Sequence, residues 1–176
     1  MGLEIEKKFI TKEIPFELGA FPHHEIEQGY LNVHPAVRIR KEDDTYYMTY
    51  KASKENYDGI GKTEYNMELD RESYEHLRTK VDGNVITKKR YLLPINEDAF
   101  DRAYLEDHSE LDKAVKNGDI KIELDVFEGV FAGRVLAEIE FPDEDAAKNY
   151  KMAEWFEQDV TGDTRYSNSQ MSREIL

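Results

Sequence analysis

The chain contains no cysteine. Disulfide frameworks, iron–sulfur clusters, thiolate-ligated zinc and a thiol nucleophile are therefore excluded, and any site must be built from oxygen and nitrogen groups. No apolar run approaches the length of a membrane-spanning helix. The opening Met1-Gly2-Leu3-Glu4-Ile5-Glu6 has neither the basic nor the apolar stretch of a secretion signal, so a cytoplasmic address is expected. Basic residues are also in short supply: 24 Lys and Arg stand against 38 Asp and Glu in 176 residues, a net charge of −14. Such a balance argues against a nucleic-acid surface or an anionic-membrane surface, and at face value it disfavours polyphosphate ligands as well. Repeats, linkers and low-complexity tracts are missing, which leaves one domain over 1–176.

What is present suffices for a folded core, since 39% of the residues are hydrophobic and 11% aromatic. Alternation with a period of two marks strands at Glu4 to Ile10, Gln28 to Leu31, Val37 to Arg40, Tyr46 to Lys51, Lys62 to Leu69, Val85 to Leu93, Ile120 to Phe127 and Leu136 to Phe141. Helical spacing appears between Asp70 and Lys80, between Asn96 and Asn117 with a break near Ser109, and from Pro142-Asp143 to Tyr150. The tail from Ser167 to Leu176 has helical character too. About eight short strands with a few helices between them predict an antiparallel α+β barrel or sandwich.

The polar faces of these strands are unusual because they sort into like charges. Acidic pairs stand at Glu4/Glu6, Glu64/Glu68, Glu123/Asp125 and Glu138/Glu140; basic pairs stand at Arg38/Arg40 and Lys88/Arg90, with Lys8 and Lys51 added. All but Glu64/Glu68 are spaced by two, so each pair projects to one side of its strand. Like charges on one strand face repel, and water or a counter-charge has to compensate. Closing the sheet with these faces inward makes a polar lumen of eight acids and six bases. Carboxylates there suit Mg²⁺ or Mn²⁺, which prefer oxygen ligands, while guanidinium forks and ammoniums suit phosphoryl oxygens. Most of the negative charge then lies on the outer surface, and the objection to a small polyanion falls away.

Glu4-Ile5-Glu6-Lys7-Lys8 reads E-x-E-x-K. Together with Gln28-Gly29-Tyr30-Leu31, Arg38-Ile39-Arg40, Thr49-Tyr50-Lys51, the Glu64 to Glu68 strand and Lys88-Lys89-Arg90-Tyr91, it resembles the CYTH superfamily, the triphosphate tunnel metalloenzymes. Further along, Glu123-Leu124-Asp125-Val126-Phe127-Glu128-Gly129, Ala137-Glu138-Ile139-Glu140-Phe141 and Val160-Thr161-Gly162-Asp163 extend the resemblance over essentially the whole chain, which is similar to the bacterial inorganic triphosphatase branch. The resemblance implies an eight-stranded antiparallel tunnel, with helices packed outside, that hydrolyses inorganic triphosphate to pyrophosphate and phosphate with Mg²⁺ or Mn²⁺. It implies Glu4, Glu6 and Glu140 as metal ligands and Lys8, Arg38, Arg40, Lys51, Lys88 and Arg90 as the phosphate clamp. Glu123, Asp125 and Glu138, with Lys8, are implied as the groups that support the metal or place the attacking water. Other readings of the same tunnel are hydrolysis of thiamine triphosphate, a nucleoside triphosphate or an RNA 5′-triphosphate end, or adenylyl cyclase activity. A non-catalytic polyphosphate or metal-nucleotide binding module stands as the alternative of another class. The expected partner is the small-molecule triphosphate, with a monomer or homodimer as the assembly.

Two features depart from the family pattern: Arg134 occupies an expected apolar position, and Asn96 to Gly118 is a longer link than usual. Several residues are expected to be without function. His23, His24, His34, His76 and His108 show no metal-ligand spacing; Lys7 and Lys89 fall on the faces opposite the clamp and are expected to be solvated; Trp155-Phe156 is expected to cover the outer wall.

Overall fold

The computed structural model describes residues 2–53 and 62–176. Nine strands form one sheet: β1 (Gly2–Thr11), β2 (His23–Val33), β3 (Ala36–Glu42), β4 (Thr45–Ser53), β5 (Lys62–Glu68), β6 (Asp82–Pro94), β7 (Lys121–Phe127), β8 (Val135–Phe141) and β9 (Phe156–Asp159). Among the described residues five short α-helices accompany them: α1 (Arg71–Arg78), α2 (Arg102–Asp107), α3 (Ser109–Asn117), α4 (Glu144–Asn149) and α5 (Asn168–Met171). The sheet runs β5-β4-β3-β2-β6-β7-β8-β1-β9, and every ladder is antiparallel. β1 and β5 also meet, through Gly2↔Glu64, Leu3↔Thr63 and Glu4↔Lys62. The expected antiparallel α+β tunnel is thus met, with one strand more than the eight expected: the sheet has nine, and β1 meets β5 over only three residue pairs, leaving the ring incompletely closed. Beyond that seam the free edge of β1 takes up β9 instead, from Phe9 to Thr11. β9 escapes sequence analysis because Phe156-Glu157-Gln158-Asp159 is too short to show a period.

Local signals act where the sequence places them. Asp70 caps α1 by accepting from the Ser73 N–H at 2.7 Å, and Asp143 caps α4 by accepting from Ala146 N–H at 2.7 Å. Gly118 ends α3 in the left-handed conformation at φ 72°. The tail is helical only over Asn168–Met171, less than its composition suggests.

Strand alternation separates two apolar cores. Ile5 and Phe9 of β1, Ile122 and Leu124 of β7, and Ala137, Ile139 and Phe141 of β8 point outward and meet Phe100, Leu111, Ala146, Ala147, Tyr150 and Phe156. Trp155 packs against this cluster, with Phe156 stacked on Phe9 at 4.6 Å. The second core lies on the opposite parity, the same as the charged residues. Tyr30, Ile86, Phe127 and Leu136 are buried with Phe131 and Met171, and Ile10 packs against them. The inward faces thus carry charge along most of their length and end in an apolar plug. No helix among the described residues is long and apolar enough to cross a membrane.

Candidate active site

Inward-facing side chains of the sheet surround a cavity of about 850 Å³. Its walls include Glu4, Glu6, Glu64, Glu123, Glu138 and Glu140 as acids and Lys8, Arg38, Arg40, Lys51 and Arg90 as bases, with Arg173 from the C-terminal segment as a sixth cation. A smaller cavity of about 370 Å³ shares Arg40, Tyr47, Arg90, Glu123 and Glu140 with it and opens past His24, Glu42, Asp119 and Lys121. The lumen therefore continues from one set of rim residues to the other.

Strand register decides who meets whom. Lys8 lies opposite Glu138 and bonds it at 2.7 Å. Arg90 lies opposite Asp125, donates to both its oxygens, and also grips Glu123 and Glu138. Burial opposes the charge on Arg90, but Asp125 and Glu138 outweigh it and raise its pKa well above the ordinary guanidinium range. Glu138 is held far below the ordinary carboxylate range: burial alone would raise it, and Lys8, Arg90 and Lys88 overcome that. Lys51 lies opposite Glu64, touches Glu4, and stands 3.8 Å from Glu6 and 3.7 Å from Glu64, so one ammonium spans the β1–β5 seam.

The other wall is different. Arg38, opposite Thr49, donates to its hydroxyl at 3.2 Å and has no carboxylate partner among the described residues. Its Nε is buried without a hydrogen bond, and burial together with the neighbouring Arg40 lowers its pKa. Arg40 is held by neutral groups, donating from Nε to Gln28 Oε1 at 3.0 Å and from Nη1 to the Tyr47 hydroxyl at 3.1 Å. Nη1 also donates to its nearest acid, Glu42, at 3.4 Å, and that carboxylate accepts a shorter bond from the Tyr47 hydroxyl at 2.6 Å.

Three expected site residues sit elsewhere. Lys88 and Asp125 do not reach the cavity wall; they form a fully buried ion pair behind Arg90. Burial and the nearby Arg90 push the Lys88 ammonium down to about 8. Glu68 shares the parity of Glu64 but is exposed and lines neither cavity. The lumen is therefore less acidic than eight acids against six bases implies, with six of each around the larger cavity. Lys7 is not simply solvated, since it pairs with Asp159 of β9 at 2.8 Å. His34 lines the larger cavity, and His24, bonded to Asp43 at 2.6 Å, lines the smaller. Tyr47 and Arg173 are wall residues that the sequence analysis does not single out, and Gln28, buried behind the wall, holds Arg40. Tyr47 was readable by parity, because it stands opposite Arg40; Arg173, outside any strand, was not.

A divalent cation can be judged on the donors. Glu6 lies directly opposite Glu140 in the β1–β8 ladder, an arrangement of like charges that costs stability unless compensated. Burial raises the Glu140 pKa, and Glu4, Glu123, Glu6 and Glu64 raise it further. A buried Glu4 oxygen lies against the Lys51 ammonium without hydrogen-bond geometry. The donor chemistry thus fits a hard cation. Among the described residues no three such side chains form a ready-made ligand cluster, so phosphate oxygens or water would have to complete the shell, as Mg²⁺ commonly requires.

The comparisons agree with this geometry. A protein named inorganic triphosphatase from Nitrosomonas europaea is 31% identical over 98% of this chain and 98% of its own length. One of the same name from Acetivibrio thermocellus is 33% identical over 97% of this chain and 94% of its own. A crystal structure of an inorganic triphosphatase superposes with a TM-score of 0.64 at 28% identity, covering 99% of this chain and 97% of that one. The family model described as the CYTH domain matches residues 2–173, which takes in every strand of the tunnel and all its charged walls, and the chain belongs to that family.

Proposed function

We propose that the protein hydrolyses inorganic triphosphate to pyrophosphate and phosphate, with Mg²⁺ or Mn²⁺ as cofactor. The observation that carries this reading is the division of one cavity between an arginine pair, Arg38 with no carboxylate partner among the described residues and Arg40 with only the Tyr47-bound Glu42 beside it at 3.4 Å, and a wall of crowded carboxylates. Arginines held ready in this way suit phosphoryl oxygens, which supply the missing negative charge and accept two hydrogen bonds from each fork. The two related triphosphatases and the similar crystal structure support the substrate.

Arg38 and Arg40, with Lys51 on the adjacent β4, bind the chain on one side while Lys8 and Arg90 face it from the other, which holds it straight for in-line displacement. Lys88 acts from behind: its pair with Asp125 holds the carboxylate that orients Arg90. Glu4, Glu6 and Glu140 would hold the divalent cation, whose chemistry when bound is to withdraw charge from the attacked phosphoryl group. Glu138, kept ionised by Lys8 and Arg90, orients the water, and Glu123, whose pKa burial raises, receives its proton as its oxygen bonds to phosphorus and the anhydride bond to the pyrophosphate leaving group breaks. No covalent enzyme intermediate is needed.

The test is phosphate release from tripolyphosphate, thiamine triphosphate and nucleoside triphosphates with Mg²⁺ or Mn²⁺, with a parallel check for cyclic AMP. Tripolyphosphate should be turned over fastest, and chelator should abolish the reaction. Binding without phosphate release would favour the non-catalytic alternative, and activity undiminished by chelator would remove the metal assignment.

A further inference from the structure

Arg134, the residue that departs from the family pattern, is not idle. Its guanidinium makes a two-pronged contact with Glu174, Nη1 donating to Oε1 at 2.8 Å and Nη2 to Oε2 at 2.6 Å, with the Phe131 ring 5.0 Å from its centre. The same segment is held from β6. Asn84 Nδ2 donates to the Glu174 carbonyl at 2.8 Å, and the Asn84 backbone N–H donates to the Ser172 carbonyl at 2.6 Å. Gly83, at φ +69°, lies so close to that carbonyl that a β-carbon would collide with it. Met171 and Ser172 are buried. Arg173 is thus flanked by fixed residues on both sides, is itself exposed, lines the larger cavity, and pairs with no carboxylate among the described residues. Among the described residues it is also the one Lys or Arg of the cavity lining that no strand carries.

We propose that Arg173 is a length-selecting residue: it binds the phosphate of a linear polyphosphate that extends past the groups held by Arg38 and Arg40, and the Arg134–Glu174 pair is the device that positions it. This rests on the reading of the tunnel as a polyphosphate-cleaving site. Lys8, Lys51 and Arg90 are already shared with carboxylates, whereas Arg173 offers a free fork at the C-terminal rim beside Ser167, Asn168 and Gln170. An extra phosphate at that rim gains a charge-assisted contact that a shorter chain cannot reach.

The experiment measures kcat and KM for linear tripolyphosphate and tetrapolyphosphate with the full chain. Arg173→Gln should raise KM for tetrapolyphosphate about tenfold, with less than about a threefold change for tripolyphosphate and unchanged kcat, as expected for one lost ionic contact. Arg134→Gln should shift the same ratio in the same direction by a smaller factor, although Arg134 lines neither cavity. The exchanged pair Arg134→Glu with Glu174→Arg should restore it, which a merely structural lesion would not do. An unchanged ratio in Arg173→Gln, or equal losses for both chains, overturns the proposal. Should the wild-type protein release no phosphate from either chain, the functional reading fails by itself. Calorimetric binding of the same two polyphosphates to wild type and Arg173→Gln then decides the role of Arg173.

Discussion

On the β6-β7-β8-β1 wall of the tunnel every lining cation is matched to acids: Arg90 to Glu123, Asp125 and Glu138, and Lys8 to Glu138. On the β2-β3-β4 wall Lys51 is likewise shared with Glu4 and Glu64, but the two arginines rest chiefly on Thr49, Gln28 and Tyr47: Glu42 stands beside Arg40 at 3.4 Å, and Arg38 has no carboxylate partner among the described residues. The backing differs in the same sense. Behind the first wall lies the large outer core with α2, α3, α4 and β9; behind the second, α1 contributes Tyr74, while Tyr50, Tyr65 and Met67 are left 41–51% exposed. One wall is built for stability and presents carboxylates in a fixed array. The other holds charge at a cost and recovers it when an anion enters. A site that binds a polyanion needs both, because an array already neutral on all sides would gain little from the ligand.

Substitutions can break this contrast. The largest effect is expected from Arg90→Met, which leaves Glu123, Asp125 and Glu138 crowded without their shared cation. Loss of a buried partner costs about 3–5 kcal/mol, or a Tm lower by about 10 °C in a chain of this size, and turnover should vanish with it. Arg38→Met should do the reverse to stability. Removing a buried guanidinium repelled by Arg40 should leave Tm unchanged or higher, while KM rises and kcat falls together because the clamp serves both binding and alignment. A Tm loss equal to that of Arg90→Met would show that the two walls do not differ.

Ligand linkage sharpens the same point. Tripolyphosphate with Mg²⁺ at 100 times its Kd should stabilise the wild-type protein by about 2.7 kcal/mol, read as a rise in Tm. The rise should shrink at the same ligand concentration in Arg38→Met. Glu4→Gln and Glu140→Gln, at positions that would hold the cation, should lose turnover while retaining a measurable Tm response to tripolyphosphate without metal.

The smallest effect concerns the thinner wall's one helix. Glu27 of β2 accepts from Arg78 at 2.7 and 3.0 Å and from the Tyr74 hydroxyl at 2.9 Å, tying α1 to the sheet. The Arg78 hydrogen bond leads the causes that lower the Glu27 pKa; burial works against it. A lowered carboxylate stabilises the fold above the ordinary carboxylate range, and that contribution is lost as pH falls through its folded value. Chemical denaturation from pH 7 down to pH 3 should show a decline, below about 1 kcal/mol for so exposed a pair, that is absent in Glu27→Gln.

Much of the tunnel is legible in the sequence. Alternation is local, so Glu4, Glu6 and Lys8, or Arg38 and Arg40, share a face wherever their strand goes, and the caps at Asp70 and Asp143 need only their own next turn. The apolar plug was legible in principle too, since Ile10, Ile86, Phe127 and Leu136 continue the inward parity of the charged residues. Parity does not say how deep a residue sits. Glu68 leaves the lumen although Glu64 lines it, and Lys88 with Asp125 sinks behind Arg90 although the alternation puts all three on one side. Those outcomes follow from where each strand begins relative to its neighbours.

By itself the sequence determined which residue types face inward, and with them the chemistry the lumen can offer. Long-range folding set the rest: that Glu6 faces Glu140, that Lys51 spans the seam between β1 and β5, that those two strands meet over three pairs with β9 added beyond them, and that Arg134 reaches Glu174 across 40 residues. The physical reason is range: side-chain alternation is written in bonds between neighbours, whereas register, depth and the pairing of distant charges arise only when remote segments compete for the same space and counter-charge.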